Sequence, residues 1–181
     1  MFSYQVDAEI KLALPRLKDA ETIFAMIQKD ADYLSEWLPW VDSMKSAEEE
    51  RQFIETSLEH FGLGQSLNLC IWYHDQYAGN ISFNKFDQRT RSADIGYLLG
   101  QDFQHRGIMH RCVTALLKIG FTEYDLEKIV LKAAVGNRPS NQVIQHAGFH
   151  FDGVERHAEQ IHDQWLDLNV YSMLRSEWHV Q

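Results

Sequence analysis

The apolar positions of this chain change period several times, and each change marks an element. Glu9 to Leu14, reading Glu-Ile-Lys-Leu-Ala-Leu, alternates polar and apolar residues as a half-buried strand does, and Pro15 ends it. The period then becomes helical: Ile23, Phe24 and Ile27 share one face, with Asp19 placed as N-cap. A short helix through Tyr33, Leu34 and Trp37 follows and stops at Pro39. Ser46 and Glu49 form a capping box for a third helix, which presents Phe53, Ile54 and Leu58 and closes at Gly62 and Gly64. Three strands come next: Leu67 to His74, Tyr77 to Phe86 and Ala93 to Leu99. Only Asp75-Gln76 separates the first two, a hairpin length. A helix beginning near Met109 carries Val113, Leu116, Leu117 and Phe121 at helical spacing. Then come a strand from Ile129 to Val135, a short helix from Gln142 to Ala147, and closing strands near Phe149 to Arg156 and Trp165 to Leu174.

Strands that begin antiparallel and are later linked through helices predict an α/β fold, a mixed and mostly antiparallel sheet with helices on both faces. No repeat, low-complexity tract or linker interrupts the pattern, so residues 1–181 read as a single domain.

The stretch richest in chemistry is Gln104-His105-Arg106-Gly107-Ile108-Met109, between an apolar strand and an apolar helix. A glycine turn feeding a helix N-terminus holds phosphate, because unpaired backbone N–H groups and the helix dipole point the same way. A side chain at Gly107 would keep a pyrophosphate off that backbone. The loop lacks the lysine-serine or lysine-threonine pair of a Walker A motif and two of the glycines of a dinucleotide fingerprint. Downstream, strand Ile129–Val135 is followed by Gly136-Asn137-Arg138-Pro139-Ser140-Asn141, and Gly148-Phe149 stands seven residues after Asn141.

Gln-x-x-Gly after a strand containing Ile-Gly-Tyr, together with Asn-x-x-Ser-Asn and Gly-Phe, resembles the GNAT superfamily of N-acetyltransferases. Within it the chain looks most like the branch that acetylates the N-terminal alanine or serine of ribosomal proteins. Trp37-Leu38-Pro39-Trp40 and Asp167-Leu168-Asn169-Val170-Tyr171 support that branch, and the resemblance runs from about Glu9 to Trp178. It implies a GNAT-like sheet with splayed central strands, acetyl-CoA as cosubstrate, and direct acetyl transfer to a primary amine such as a protein N-terminus. It also implies roles for individual residues. The backbone of Ile95, Gly96 and Tyr97 would meet the thioester carbonyl and pantetheine arm, on a strand expected to bulge. Gln104, Arg106, Gly107, Ile108 and Met109 would hold the pyrophosphate, with Arg106 preferred to His105 as the nearby charge. Asn137 would bond the pantetheine arm or order its loop. Many relatives place a tyrosine where this chain has Ile144; the resembled branch carries a serine in its Asn-x-x-Ser-Asn segment as proton donor to the leaving sulfur, which implies that role for Ser140, although Ser140 could equally cap a helix beginning at Asn141. Glu159 would be the base, at the start of the final polar loop. Trp40 would face the acceptor pocket and Trp37 the core, although Trp37 could also wall the pocket.

Other residues leave alternatives open. Glu155, Asp163 and Asp167 crowd the segment of Glu159, as a solvated acidic loop would. Asp94 is a second candidate base, whose plainer reading is an exposed edge position in its strand. His105, His110, His146, His150, His157 and His162 show no ligand spacing such as His-Glu-x-x-His, so no metal is expected. Cys70 and Cys112 stand apart from any nucleophile motif and fit reduced thiols of a cytoplasmic protein.

With 45% hydrophobic and 24% charged residues the composition is that of an ordinary globular enzyme, and no apolar run is long enough for a membrane helix. The first residues lack the basic and apolar regions of a signal peptide. A net charge of −9 argues against nucleic acid as direct ligand and favours a basic peptide or amine. The acceptor could instead be a small amine (a polyamine, amino sugar or antibiotic), and a catalytically silent CoA-binding module is a third reading. Relatives often pair, which leaves a homodimer open.

Overall fold

The structure is a computed structural model and describes residues 3–179. Its elements are β1 (Ser3–Gln5), β2 (Ile10–Ala13), α1 (Ala20–Lys29), α2 (Ala31–Leu34), α3 (Ala47–Gly62), β3 (Leu67–Tyr73), β4 (Gln76–Asp87) and β5 (Ser92–Leu99). They continue with α4 (Ile108–Thr122), β6 (Lys128–Ala134), α5 (Arg138–His146), β7 (His150–Ile161) and β8 (Gln164–Leu174). The strands form one sheet in the order β1-β2-β3-β4-β5-β6-β8-β7. Only β5 and β6 pair in parallel; every other neighbour is antiparallel. This is the mixed, mostly antiparallel sheet that the strand pattern predicts, with two crossovers, β5–α4–β6 and β6–α5–β7, the second passing over β8.

Alternation along the central strands divides the core between two faces. Leu69 and Ile71 of β3 pack with Ile108, Cys112, Val113 and Leu116 of α4 and with Ile144 of α5. Cys70, between them in sequence, packs on the opposite face with Ile23 and Ile27 of α1 and Ile54 of α3. Both cysteines are buried free thiols. Burial pushes Cys112 up to about 12 and Cys70 higher, so neither forms a thiolate readily. No helix of the described residues is long and apolar enough to cross a membrane.

Three local expectations are revised. Asp19 is the N-cap residue of α1, but its side chain makes no capping bond there. It closes a 3-10 turn, its carboxylate accepting from the Arg16 backbone N–H (3.0 Å), Nε (2.8 Å) and Nη2 (2.7 Å). The buried face of α3 is Glu50, Ile54 and Ser57, and Phe53 is 49% exposed. Ile54 packs there against Ile23 and Ile27 of α1 and Cys70 of β3, and the helical period sets Glu50 and Ser57 on the same face and Phe53 off it. Burial without a hydrogen-bond partner pushes the Glu50 carboxyl up to about 7. Finally, α5 begins at Arg138, well before Gln142. Asn137 Oδ1 accepts the Ser140 N–H at 3.1 Å, and Pro139 supplies a fixed φ in the first turn.

The feature that positions the site is a divergence at the sheet's centre. β5 and β6 are in register from Ser92↔Lys128 to Ile95↔Leu131 and no further. Gly96 to Leu99 stay paired to β4, while Lys132 to Ala134 stay paired to β8. The sheet therefore splits into a V, and backbone groups of β5 that would have bonded β6 face the gap.

Candidate active site

A cavity of about 930 Å³ occupies the V. At one end lies the loop from Gln104 to Gly107, which feeds α4. Gly107 is the N-cap in the left-handed conformation (φ 69°), and no side chain caps the helix. The first helical bond is Arg111 N–H to Gly107 O, so the amides of Ile108, Met109 and His110 remain free of intrahelical partners. A Cβ placed on Gly107 would meet no protein atom within 4 Å: the space over the loop is open. The Ile108 and Met109 side chains are buried in the core and anchor this turn from below.

The β5 wall of the cavity carries Asp94, Ile95, Gly96 and Tyr97. The bulge anticipated on β5 lies on β4 instead. Phe83 opposes Ile95 and Lys85 opposes Asp94, which leaves Asn84 as the extra residue. The Asn84 carboxamide donates to Asp94 Oδ2 (2.8 Å) and accepts from Ser82 Oγ (2.6 Å). It sits over Gly96, where a Cβ would come within 2.8 Å of Asn84 Nδ2. Asp94 is therefore a cavity-facing residue of a central strand and not an edge position.

Across the gap, the β6–α5 turn brings Asn137 and Ser140 to the lining. Ser140 is the third residue of α5 and not its cap. Its Oγ lies 2.9 Å from the Tyr97 hydroxyl. Asn141 fixes this turn to the sheet. It donates to Ala134 O (2.9 Å) and Asn137 O (2.7 Å), and accepts from Asn169 Nδ2 (2.7 Å) and the Tyr171 hydroxyl (2.8 Å). Sequence reasoning passed over Asn141. The available signal was an amide on the same helical face as Ile144, three residues on.

At the far end Glu159, Leu166 and Leu168 of the β7–β8 hairpin line the cavity. Glu159 lies within β7, opposite Leu166, and not in a loop. A wide bulge precedes it: the register passes from Glu155↔Leu168 to Glu159↔Leu166, and Asp167 Oδ1 accepts the His157 N–H at 2.8 Å to hold the extra residues. Partial burial raises the Glu159 carboxyl above the ordinary value. The neighbouring acids separate by role. Glu155 pairs with Lys132 (2.6 Å), Asp167 holds the bulge, and Asp163 is outside the lining.

Two expected residues lie elsewhere. The Arg106 guanidinium is stacked on Tyr73, 5.9 Å from the ring centre, whereas His105 lines the cavity. The other is Trp40; of the two tryptophans it is Trp37 that lines the cavity, its alternative place. Trp37 lines the cavity with Tyr33, Leu34 and Leu38, its indole 3.6 Å from where a Gly136 Cβ would stand; Trp40 is outside the lining and 38% exposed. Pro39 turns the chain outward between them. Among the described residues no cluster of three His, Cys, Asp or Glu side chains is arranged to hold a metal ion.

A sheet parted at one parallel pair, with a helix N-terminus at one end of the gap and a carboxylate at the other, defines an acyltransferase of the splayed-sheet class. Comparison with known proteins makes this specific. The family described as acetyltransferase (GNAT) domain matches residues 9–150, and the chain belongs to it. It is 27% identical to the ribosomal-protein-serine acetyltransferase of Escherichia coli, over 94% of this chain and 95% of that one. Among solved structures it is similar to the microcin C7 self-immunity acetyltransferase MccE in complex with acetyl-CoA and AMP (TM-score 0.90, 30% identity, covering 93% of this chain and 94% of that one). It is also similar to RimL, the ribosomal L7/L12 α-N-protein acetyltransferase, in complex with coenzyme A (TM-score 0.93, 25% identity, covering 97% and 99%).

Proposed function

We propose that the protein transfers acetyl from acetyl-CoA directly to the free α-amino group of a protein or peptide. The observation that carries this reading is the parting of β5 and β6 beyond Ile95 and Leu131, which joins a phosphate-type loop and a half-buried carboxylate through one cavity. Acetyl-CoA, when bound, supplies an acyl group activated as a thioester. The chain's own residues bind and orient. The amides of Ile108, Met109 and His110 and the backbone of Gln104 and Gly107 would hold the pyrophosphate. The edge of β5 at Ile95, Gly96 and Tyr97, unpaired on the β6 side beyond Ile95, would take the pantetheine arm as an added strand and donate to the carbonyl oxygen.

Glu159 takes the proton of the incoming amine, directly or through one water; its raised pKa brings it nearer the working pH, as a base requires. Ser140 gives a proton to the departing sulfur and regains one from cavity water, while Glu159 releases the amine's proton to solvent. Asn137 orders the Ser140 turn. Trp37 walls the acceptor side. The likeness to E. coli ribosomal-protein-serine acetyltransferase and to RimL supports a protein N-terminus as acceptor. A small amine is the second reading, supported by the likeness to MccE.

The test is thiol release from acetyl-CoA with a lysine-free peptide beginning in serine, its N-terminally blocked form, and a panel of polyamines and amino sugars. Turnover of the free peptide alone is expected. Turnover confined to small amines would replace the first reading with the second, and none with any amine would sink both.

A further inference from the structure

The hydroxyls of Tyr97 and Ser140 meet across the gap between the parted strands, from residues 43 positions apart in the chain. Tyr97 Oη is 2.9 Å from Ser140 Oγ and 3.3 Å from Ser140 O. The Ser140 hydroxyl has no capping duty to compete, since Asn137 Oδ1 serves that turn. Which oxygen donates follows from acidity. A phenol, with a pKa of about 10, is a far better donor than an aliphatic hydroxyl, which is comparable to water at about 15.7. Burial pushes Tyr97 up to about 12, so it keeps its hydrogen throughout any working range. Tyr97 is therefore the stronger donor of the two hydroxyls, and its one hydrogen lies between Ser140 Oγ at 2.9 Å and Ser140 O at 3.3 Å, on the side of the nearer Oγ. With one Ser140 lone pair engaged by Tyr97, the serine's own hydrogen is turned away from β5 and into the cavity.

We propose that the Tyr97 side chain is a positioning residue for acetyl transfer: its hydroxyl orients the Ser140 hydrogen toward the departing sulfur. It also stabilises the negative charge that grows on Oγ as that hydrogen is given up. No proton leaves Tyr97; the carbon–sulfur bond breaks, sulfur takes the Ser140 hydrogen, and the hydrogen bond from Tyr97 shortens onto Oγ. The inference rests on the Ser140 role given above. It adds a side-chain duty to a residue whose backbone was expected to do the work.

The experiment is a kinetic cycle of wild type, Tyr97→Phe, Ser140→Ala and the double variant. It uses the fastest amine of the panel, or acetyl-CoA hydrolysis where no amine turns over. Tyr97→Phe is expected to lower kcat about tenfold, consistent with losing one hydrogen bond to a charged group. The KM for acetyl-CoA should stay within about twofold, because the ring and backbone remain. In the Ser140→Ala background the same substitution should cost nothing further. Tyr97→3-fluorotyrosine, a stronger donor of nearly the same shape, should hold or raise kcat and shows that the pocket is intact. Equal losses in both backgrounds, or a loss in KM alone, would overturn the inference. A slow Ser140→Ala beside an unimpaired Tyr97→Phe would overturn it while leaving the Ser140 role standing. An unimpaired Ser140→Ala would remove the Ser140 role, and this inference with it.

Discussion

At the α4 end of the cavity the groups offered to a ligand are mostly backbone: the free amides of Ile108 to His110 and the unpaired edge of β5. At the hairpin end they are side chains, namely Glu159 and Trp37. Backbone groups are placed by short-range rules. A glycine in the left-handed conformation turns the chain into α4, and an asparagine cap with a proline beside it starts α5. Side chains at the other end are placed by pairings made far along the chain. Glu159 depends on a wide bulge in a hairpin whose tip, at His162, reaches within 3.5 Å of Asp42 on the α2–α3 segment. A backbone-built end suits a ligand portion common to every turnover, and a side-chain-built end can change with the acceptor.

The largest effect should come from disrupting the backbone end. Gly107→Glu places a carboxylate where the anion belongs, at a position open to solvent. Acetyl-CoA affinity should fall at least about 100-fold by isothermal titration, from charge repulsion and lost amide contacts together. Gly107→Ala separates the two costs. It carries only the left-handed strain, about 1 kcal/mol of stability, and should leave binding within a few-fold. Equal affinity in wild type and Gly107→Glu would place the phosphates elsewhere and erase the contrast between the ends.

Next in size is the carboxylate at the opposite end. Glu159→Gln should lower kcat about 100-fold and leave acetyl-CoA affinity unchanged, as loss of a general base does. The pH dependence gives the sign. Burial raises the Glu159 pKa, so the active carboxylate is lost on acidification earlier than for an exposed glutamate. Wild-type kcat should therefore rise with pH through a limb lying above 4.5, and that limb should vanish in Glu159→Gln. A variant that keeps both rate and limb would transfer the base to Asp94.

The same division governs how much was legible in the sequence. The order of strands and helices, the pyrophosphate-type loop and the second segment could be read because each rests on local chemistry: alternation, a glycine turn, a cap. Even there, side-chain directions escaped, and Arg106 lies on Tyr73 because a ring from β3 happens to stand beside the loop. The face of α3 was misjudged for a related reason. Hydrophobicity favoured Phe53, but the face that Ile54 turns to α1 and β3 carries Glu50 and Ser57 with it. At the acceptor end almost nothing is local. The Asn84 bulge, the Glu155-to-Glu159 register shift and the Tyr97–Ser140 contact are consequences of strand pairing, which a single sequence does not print.

The tryptophans test that contrast most finely, because they lie three residues apart and differ mainly in what the fold does with them. Trp37 lines the cavity beside Gly136, and Trp40 stands 38% exposed beyond Pro39. If the acceptor is gripped by side chains brought in from a distance, Trp37→Ala should raise the KM for the acceptor about tenfold, the loss of an aromatic wall. The KM for acetyl-CoA should barely move, since the backbone end is untouched. Trp40→Ala should leave both constants within about twofold, as surface changes away from a site do. A reversed pair, with Trp40→Ala the damaging one, would mean that the acceptor approaches over the outer face of the α2–α3 segment and not through the cavity that Trp37 lines.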